Sequence, residues 1–219
     1  MIAAESKTKT SIFWTVTREW EGDPCYIIGG GPSLHGFDFN LLAGRNVLGC
    51  NDAFRLGPSI VSYAVFGDSA FYCRNTRDLV ASQVPLVTCS PNLVAMRTPP
   101  HLRKLHRELS GLHNGHSVGF NNSTGAMAIN LAINLGAASI YLLGFDVSNV
   151  REKSHWHTHN PRHTREFTFK RFQDGFAKVQ ASLPEGINVI NVTDGSSRLE
   201  SFPRITFEQF YQHLQQAPI

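Results

Sequence analysis

Apolar runs of about four to eight residues recur along the chain, each bounded by Gly, Pro, Asn or Asp. They are Cys25 to Ile28, Asn46 to Cys50, Ser62 to Phe66, Pro85 to Cys89, Ser139 to Leu143 and Asn188 to Val192. None alternates strictly with polar residues, so they read as strands buried on both faces. Ser123 to Leu135, rich in Ala, Ile, Leu and Asn, has the spacing of a helix that packs on a sheet, and Gly136 stops it. This helix and the strand-like runs around it make a βαβ unit. The pattern predicts an α/β chain: a Rossmann-like, doubly wound, mostly parallel sheet with helices on both faces. Its ligand crevice is expected at the carboxyl ends of the strands.

Thr206 to Leu214 reads as a closing amphipathic helix with Phe207, Phe210, Tyr211 and Leu214 on its apolar face. Two stretches break the pattern, the basic, His-rich Arg97 to His116 and the His/Arg-rich Val150 to Arg171. Both are expected to be insertions or lids over the crevice, with 150–171 as the His/Arg-rich lid. At 219 residues the chain supports one substantial core, so a single domain over 1–219 is expected.

Composition narrows the classes. No stretch approaches the roughly 20 apolar residues that cross a bilayer. Met1 to Lys9 carries charge of both signs and lacks the apolar core of a signal peptide, so a cytoplasmic protein without a membrane span is expected. Cys25, Cys50 and Cys89 sit in or beside strand-like runs, and no CxxC pair occurs, which predicts buried reduced thiols. The net charge of +3 permits an anionic ligand without demanding one.

The chemistry-bearing residues follow strands. Gly29-Gly30-Gly31-Pro32-Ser33-Leu34 ends the first run, where glycines let the backbone approach a ligand and a following helix start would offer N–H groups to a phosphate. Leu34 stands where the dinucleotide fingerprint needs a third small residue, and no Walker lysine follows. The same glycines also suit a tight structural turn. Asn51 and Asp68 end the second and third runs, beside the glycine turn, as ligand-binding groups or as caps of the next helix. Ser123, Thr124 and Gly125 open the long helix, with a hydroxyl cap and free N–H groups suited to a phosphate.

Ser154-His155-Trp156-His157-Thr158-His159-Asn160-Pro161-Arg162-His163 concentrates histidines. Alternating His155, His157 and His159 can chelate a metal, yet no carboxylate motif accompanies them, and no metal is expected. They also fit acid–base or phosphate contacts on a loop, or plain solvated residues. Arg97, Arg103, Lys104, Arg107, Arg162, Arg165, Lys170 and Arg171 form either a solvated face with a phosphate-binding lid or a surface for nucleic acid.

Ile28 to Leu34, Cys50-Asn51, Ser123-Thr124-Gly125 and Ile140-Tyr141-Leu142-Leu143-Gly144-Phe145-Asp146, in that order, resemble the bacterial lipooligosaccharide sialyltransferases. They equally resemble the related family that holds motility-associated glycosyltransferases, an archaeal hydroxymethylpterin diphosphokinase and many phage proteins. The resemblance runs from about Cys25 to the Ser197-x-Leu199 turn. It implies a nucleotide site at Gly29, Gly31, Ser33, Asn51 and Thr124, to which the strand-end and helix-start positions add Gly30, Pro32, Asp68, Ser123, Gly125 and Asp146. It implies His159 as catalytic base, with His155 its neighbour in the same loop. Where the sialyltransferases carry tyrosines that help the leaving phosphate, this chain has Val147 and Ser148, so His157, Arg162, His163 or Arg165 would neutralise the phosphate.

The activity this implies is a glycosyltransferase that moves a sugar from a nucleotide-activated donor, CMP-linked in the sialyltransferases, to a hydroxyl acceptor on a glycan or a modified nucleic acid. It would need no cofactor, and the absence of an Asp-x-Asp pair fits metal independence. The alternatives are a magnesium-ATP diphosphokinase of a small hydroxymethyl compound and a phage-type DNA-base-modifying transferase. Relatives of this kind form homo-oligomers, though no interface is legible in these residues.

Overall fold

The computed structural model describes residues 12–96, 101–149, 155–158, 164–195 and 197–216. Among them the strands are β1 (Pro24–Ile28), β2 (Val47–Cys50), β3 (Tyr63–Phe66), β4 (Leu86–Thr88), β5 (Leu102–Lys104), β6 (His106–Glu108), β7 (Ser117–Gly119), β8 (Ser139–Leu143), β9 (Asn188–Val192) and β10 (Arg204–Ile205). The helices are α1 (Ser69–Ala81), α2 (Pro91–Ala95), α3 (Thr124–Leu135), α4 (Glu166–Ala181) and α5 (Phe207–Gln216).

Eight strands form one sheet in the order β10-β9-β8-β1-β2-β3-β4-β5, and every pairing is parallel. The chain builds outward from β1 through β2 to β5, then returns to the other side of β1 with β8. The order therefore reverses between β1 and β8, and in open parallel sheets such a reversal leaves a crevice at the carboxyl ends of the two strands. Gly29 N–H donates to Leu143 O at 2.8 Å and Gly31 N–H to Gly144 O at 2.8 Å, which carries the β1–β8 pairing into the glycine turn.

Side chains of each strand alternate between two cores. Cys25, Ile27, Leu48, Val65, Val87, Ile140 and Leu142 pack with α3 and with Phe169, Phe176 and Val179 of α4. Tyr26, Ile28, Val47, Ala64, Phe66 and Leu143 pack on the other face with Phe71, Tyr72 and Leu79 of α1 and Phe207, Phe210 and Leu214 of α5. The anticipated apolar stripe of the last helix is thus its buried face, except that Tyr211 stays exposed. Each fully buried large side chain of that stripe contributes about 1.5–3 kcal/mol of transfer free energy.

The helix α3 is apolar all round because it is covered all round. Ser123 caps it, its hydroxyl accepting the Ala126 N–H at 3.0 Å, and Gly136 at φ +103 ends it in the left-handed conformation. Its two buried polar residues stitch a neighbouring segment down: Asn130 Oδ1 accepts the N–H groups of His113 and Gly119, and Asn134 Nδ2 donates to Ser117 O.

That segment corrects one expectation. The stretch from Arg97 to His116 is not a lid in its described part: β5 extends the main sheet, and β6 pairs with β7 in a two-stranded parallel sheet. Three-residue strands reading Leu-Arg-Lys and His-Arg-Glu carry no apolar run to reveal them. Of 150–171, residues 166–171 belong to α4, and 155–158 lie against the glycine turn. Cys25, Cys50 and Cys89 are buried free thiols, as expected, and burial pushes Cys50 up to about 12 and Cys89 up to about 11. Such thiols are inert at neutral pH. Among the described residues no helix is long and apolar enough to cross a membrane.

Candidate functional site

A cleft of about 780 Å³ opens at the carboxyl ends of β1, β2, β3 and β8. Gly29, Gly30, Gly31, Asn51, Asp68, Ser123, Thr124, Gly125, Asp146, His155 and His157 all line it. All but the two histidines converge because they follow strands of one parallel sheet or open the helix beneath it, and the histidines are brought there by the loop that Trp156 ties to the glycine turn.

The floor is backbone. A methyl group on Gly31 would lie 2.5 Å from both Asp146 Oδ2 and Gly144 O, and one on Gly30 would lie 2.9 Å from the His155 ring. Close approach of backbone therefore requires glycine at 31, whereas at 30 only the His155 side chain stands in the way. Pro32 and Ser33 do not line the cleft. The segment Pro32–Leu34 is a single 3-10 turn, and the Ser33 N–H, expected to be free for a phosphate, is already donated to Asp146 Oδ2 at 2.8 Å. The helix start that does face the cleft is that of α3. Ser123 satisfies Ala126, while the N–H groups of Thr124 and Gly125 meet no acceptor among the described residues, and no acidic residue occupies that first turn. Such a terminus favours an anion.

Asn51 begins a 3-10 helix in the left-handed region at φ +51, which Asn tolerates better than most residues. Its side chain makes no hydrogen bond among the described residues. Asp68 is the N-cap of α1, accepting the Ala70 N–H at 2.7 Å, so the capping alternative holds for it even though it lines the cleft.

Asp146 is 1% exposed, and its Oδ1 has no hydrogen-bond partner among the described residues. Burial pushes its pKa up, opposed by the hydrogen bond from Ser33. The next residue, Val147, is held at φ +50, a conformation that costs a β-branched residue about 1–3 kcal/mol. The strain is sustained from behind: Ser197 Oγ donates to Phe145 O at 2.8 Å, and Arg198 N–H donates to Asp146 O at 2.8 Å.

The histidine loop is pinned to the floor. Trp156 donates its backbone N–H to Gly30 O and its indole Nε1–H to Gly29 O, each at 3.0 Å, and its ring packs on Phe39. The His155 and His157 ring centroids are 5.3 Å apart. Burial lowers the His155 pKa, with the Asp52 charge acting against it, and His155 Nδ1 has no hydrogen-bond partner among the described residues. His157 Nε2 faces Asp52 Oδ2 at 3.9 Å, and Asp52 Oδ1 accepts from Arg55 Nε at 3.3 Å. Arg165 is exposed at the N-cap of α4 and does not line the cleft. His159, Arg162 and His163 lie outside the described residues.

The sequence reading missed the aromatic wall. Phe145, Phe169, Phe172 and Phe176 line one side, and Phe71 and Phe120 also reach the cleft. Phe169, Phe172 and Phe176 are spaced three and four apart on α4, a helical signal hidden inside a stretch dominated by His and Arg. Phe120 is backed by the Arg107 guanidinium 3.5 Å from its centroid. Arg74 and Asn75, from α1, were missed as well.

The architecture is α/β with a parallel central sheet flanked by helices, consistent with a Rossmann-like fold. The chain matches no protein-family model, no curated protein and no solved structure.

Proposed function

We propose that the chain is a glycosyltransferase that moves a sugar from a nucleotide-activated donor to a hydroxyl acceptor. The observation that carries this reading is the position of the histidine loop, which Trp156 fastens to a side-chain-free glycine floor at the strand-order reversal. A donor lying on that floor has the nucleotide beside Asn51 and Asp146 and its activated sugar below the loop. The acceptor oxygen attacks the anomeric carbon, the bond to the phosphate oxygen breaks, and a loop histidine takes the hydroxyl proton. A base must be neutral to do so. Burial favours neutral His155, which lines the cleft. His159, to which the resemblance points, is the other candidate, two positions after His157 in the sequence. The open start of α3 supplies N–H groups for the departing phosphate.

One observation favours a second reading: Asp52, Asp68 and Asp146 all line the cleft, and magnesium-dependent diphosphoryl transfer from ATP needs carboxylates there, although no three His, Cys, Asp or Glu among the described residues are grouped to hold a metal ion. Calorimetry with CMP, UMP, UDP, GDP and ATP, each with magnesium and with chelator, separates the two. The glycosyltransferase reading expects a metal-independent pyrimidine nucleotide to bind. Binding of ATP alone, and only with magnesium, overturns it. With the donor class known, His155→Gln and His159→Gln identify the base: the variant that loses turnover while keeping nucleotide affinity.

A further inference from the structure

We infer that Arg74 is the phosphate-binding cation of the cleft, an assignment that rests on the nucleotide reading above and names the residue that would hold the donor's anionic group. Arg74 is the one Lys or Arg among the described residues that line the cleft. It makes no ion pair or hydrogen bond among the described residues, whereas nearby cations are committed. Arg55 is taken by Asp52, Asp78 and Asn75, and Arg107 stacks on Phe120 and reaches Gly67 O.

Each cleft carboxylate has at least one oxygen engaged, while Asp146 Oδ1 has no partner among the described residues. Asp52 faces Arg55 and His157, Asp68 takes the Ala70 N–H, and Asp146 takes the Ser33 N–H. A guanidinium at the mouth of a cleft, left without a carboxylate, is complementary to an anion. A second observation places that anion. The helix α1 packs on one face of the sheet and α3 on the other, so Arg74 and the unoccupied N–H groups of Thr124 and Gly125 belong to opposite walls. A phosphate between them receives a fork of donors from one side and a helix terminus from the other.

The test is calorimetric titration of the full chain with inorganic pyrophosphate, for the wild type, Arg74→Gln and Arg74→Lys. Arg74 is exposed on α1, so both variants are expected to fold, and a melting curve checks this. Wild type should bind pyrophosphate, the Gln variant should bind about tenfold more weakly or worse, and the Lys variant should recover part of the loss. Equal affinity of wild type and the Gln variant overturns the assignment, and so does a wild type that binds no pyrophosphate. A protein that binds pyrophosphate through Arg74 but none of the nucleotides named above would keep this assignment and end the glycosyltransferase reading.

Discussion

Asp146 Oδ2 accepts the backbone N–H of Ser33 at 2.8 Å, a bond that spans 113 residues of sequence and ties the turn after β8 to the turn after β1. Those are the two strands between which the order reverses. The contact therefore joins the two strand ends that border the cleft.

Gly31→Ala tests that contact. The added methyl meets the Asp146 carboxylate and the Gly144 carbonyl, both at 2.5 Å, and neither can yield without moving a strand end. The expected cost is about 1–3 kcal/mol of stability, with loss of nucleotide affinity. Gly30→Ala differs, because its methyl meets only the edge of the His155 ring, a group free to rotate away. Thermal denaturation should be nearly unchanged for Gly30→Ala, while hydrogen exchange at the Trp156 amide, which bonds to Gly30 O, should accelerate. Equal melting temperatures for both variants would remove the close-approach argument.

Two perturbed groups of the cleft, Asp146 and His155, give opposite pH signatures. Asp146 is raised by burial, so between the ordinary carboxylate range and its folded value the native state holds a proton that the unfolded chain has lost. Stability from this group falls as pH rises through that window and stays reduced above it. His155 is lowered by burial, so the unfolded chain takes up a proton first as pH drops below about 6.5, and stability falls from there down to the folded value. Asp146→Asn should therefore match or exceed the wild type in stability at pH near 7 while weakening ligand binding. His155→Gln should flatten the decline below about 6.5. Denaturant titrations across pH check both, and an Asp146→Asn protein markedly less stable near neutrality would show that the carboxylate is structural.

How much of this was legible in the sequence depends on the range of the interactions involved. The six strand-like runs are β1, β2, β3, β4, β8 and β9 with ends shifted by no more than one residue, because a strand buried on both faces must be apolar throughout. The glycine turn, Asn51, the start of α3 and Asp146 were legible because parallel topology delivers strand ends to one edge. The polar strands β5 to β7 were not, since their side chains are set by neighbours distant in sequence, such as Asn130 and Asn134. The use of Ser33 against Asp146 rather than toward a ligand was likewise hidden. It depends on a turn conformation that three consecutive glycines leave undetermined.

Ser197 holds the strained turn in place and gives the last prediction. It is 5% exposed, accepts from Asn191 Nδ2 at 2.9 Å and from Leu199 N–H at 3.1 Å, and donates to Phe145 O at 2.8 Å. Ser197→Ala leaves the Phe145 carbonyl without that donor and Asn191 Nδ2 without an acceptor, with no room for solvent to replace either. Each buried group left unsatisfied costs about 1–3 kcal/mol, so the variant should melt well below the wild type. The turn it supports carries Asp146 and Val147, so the loss should not stay local. Released from behind, Val147 can leave its positive φ, and Asp146 is then no longer fixed against Ser33. Hydrogen exchange at the Ser33 amide should accelerate in Ser197→Ala more than at the amides of α5, which packs on the opposite face. Uniform acceleration across both would mean that Ser197 contributes only to global stability and does not position the cleft.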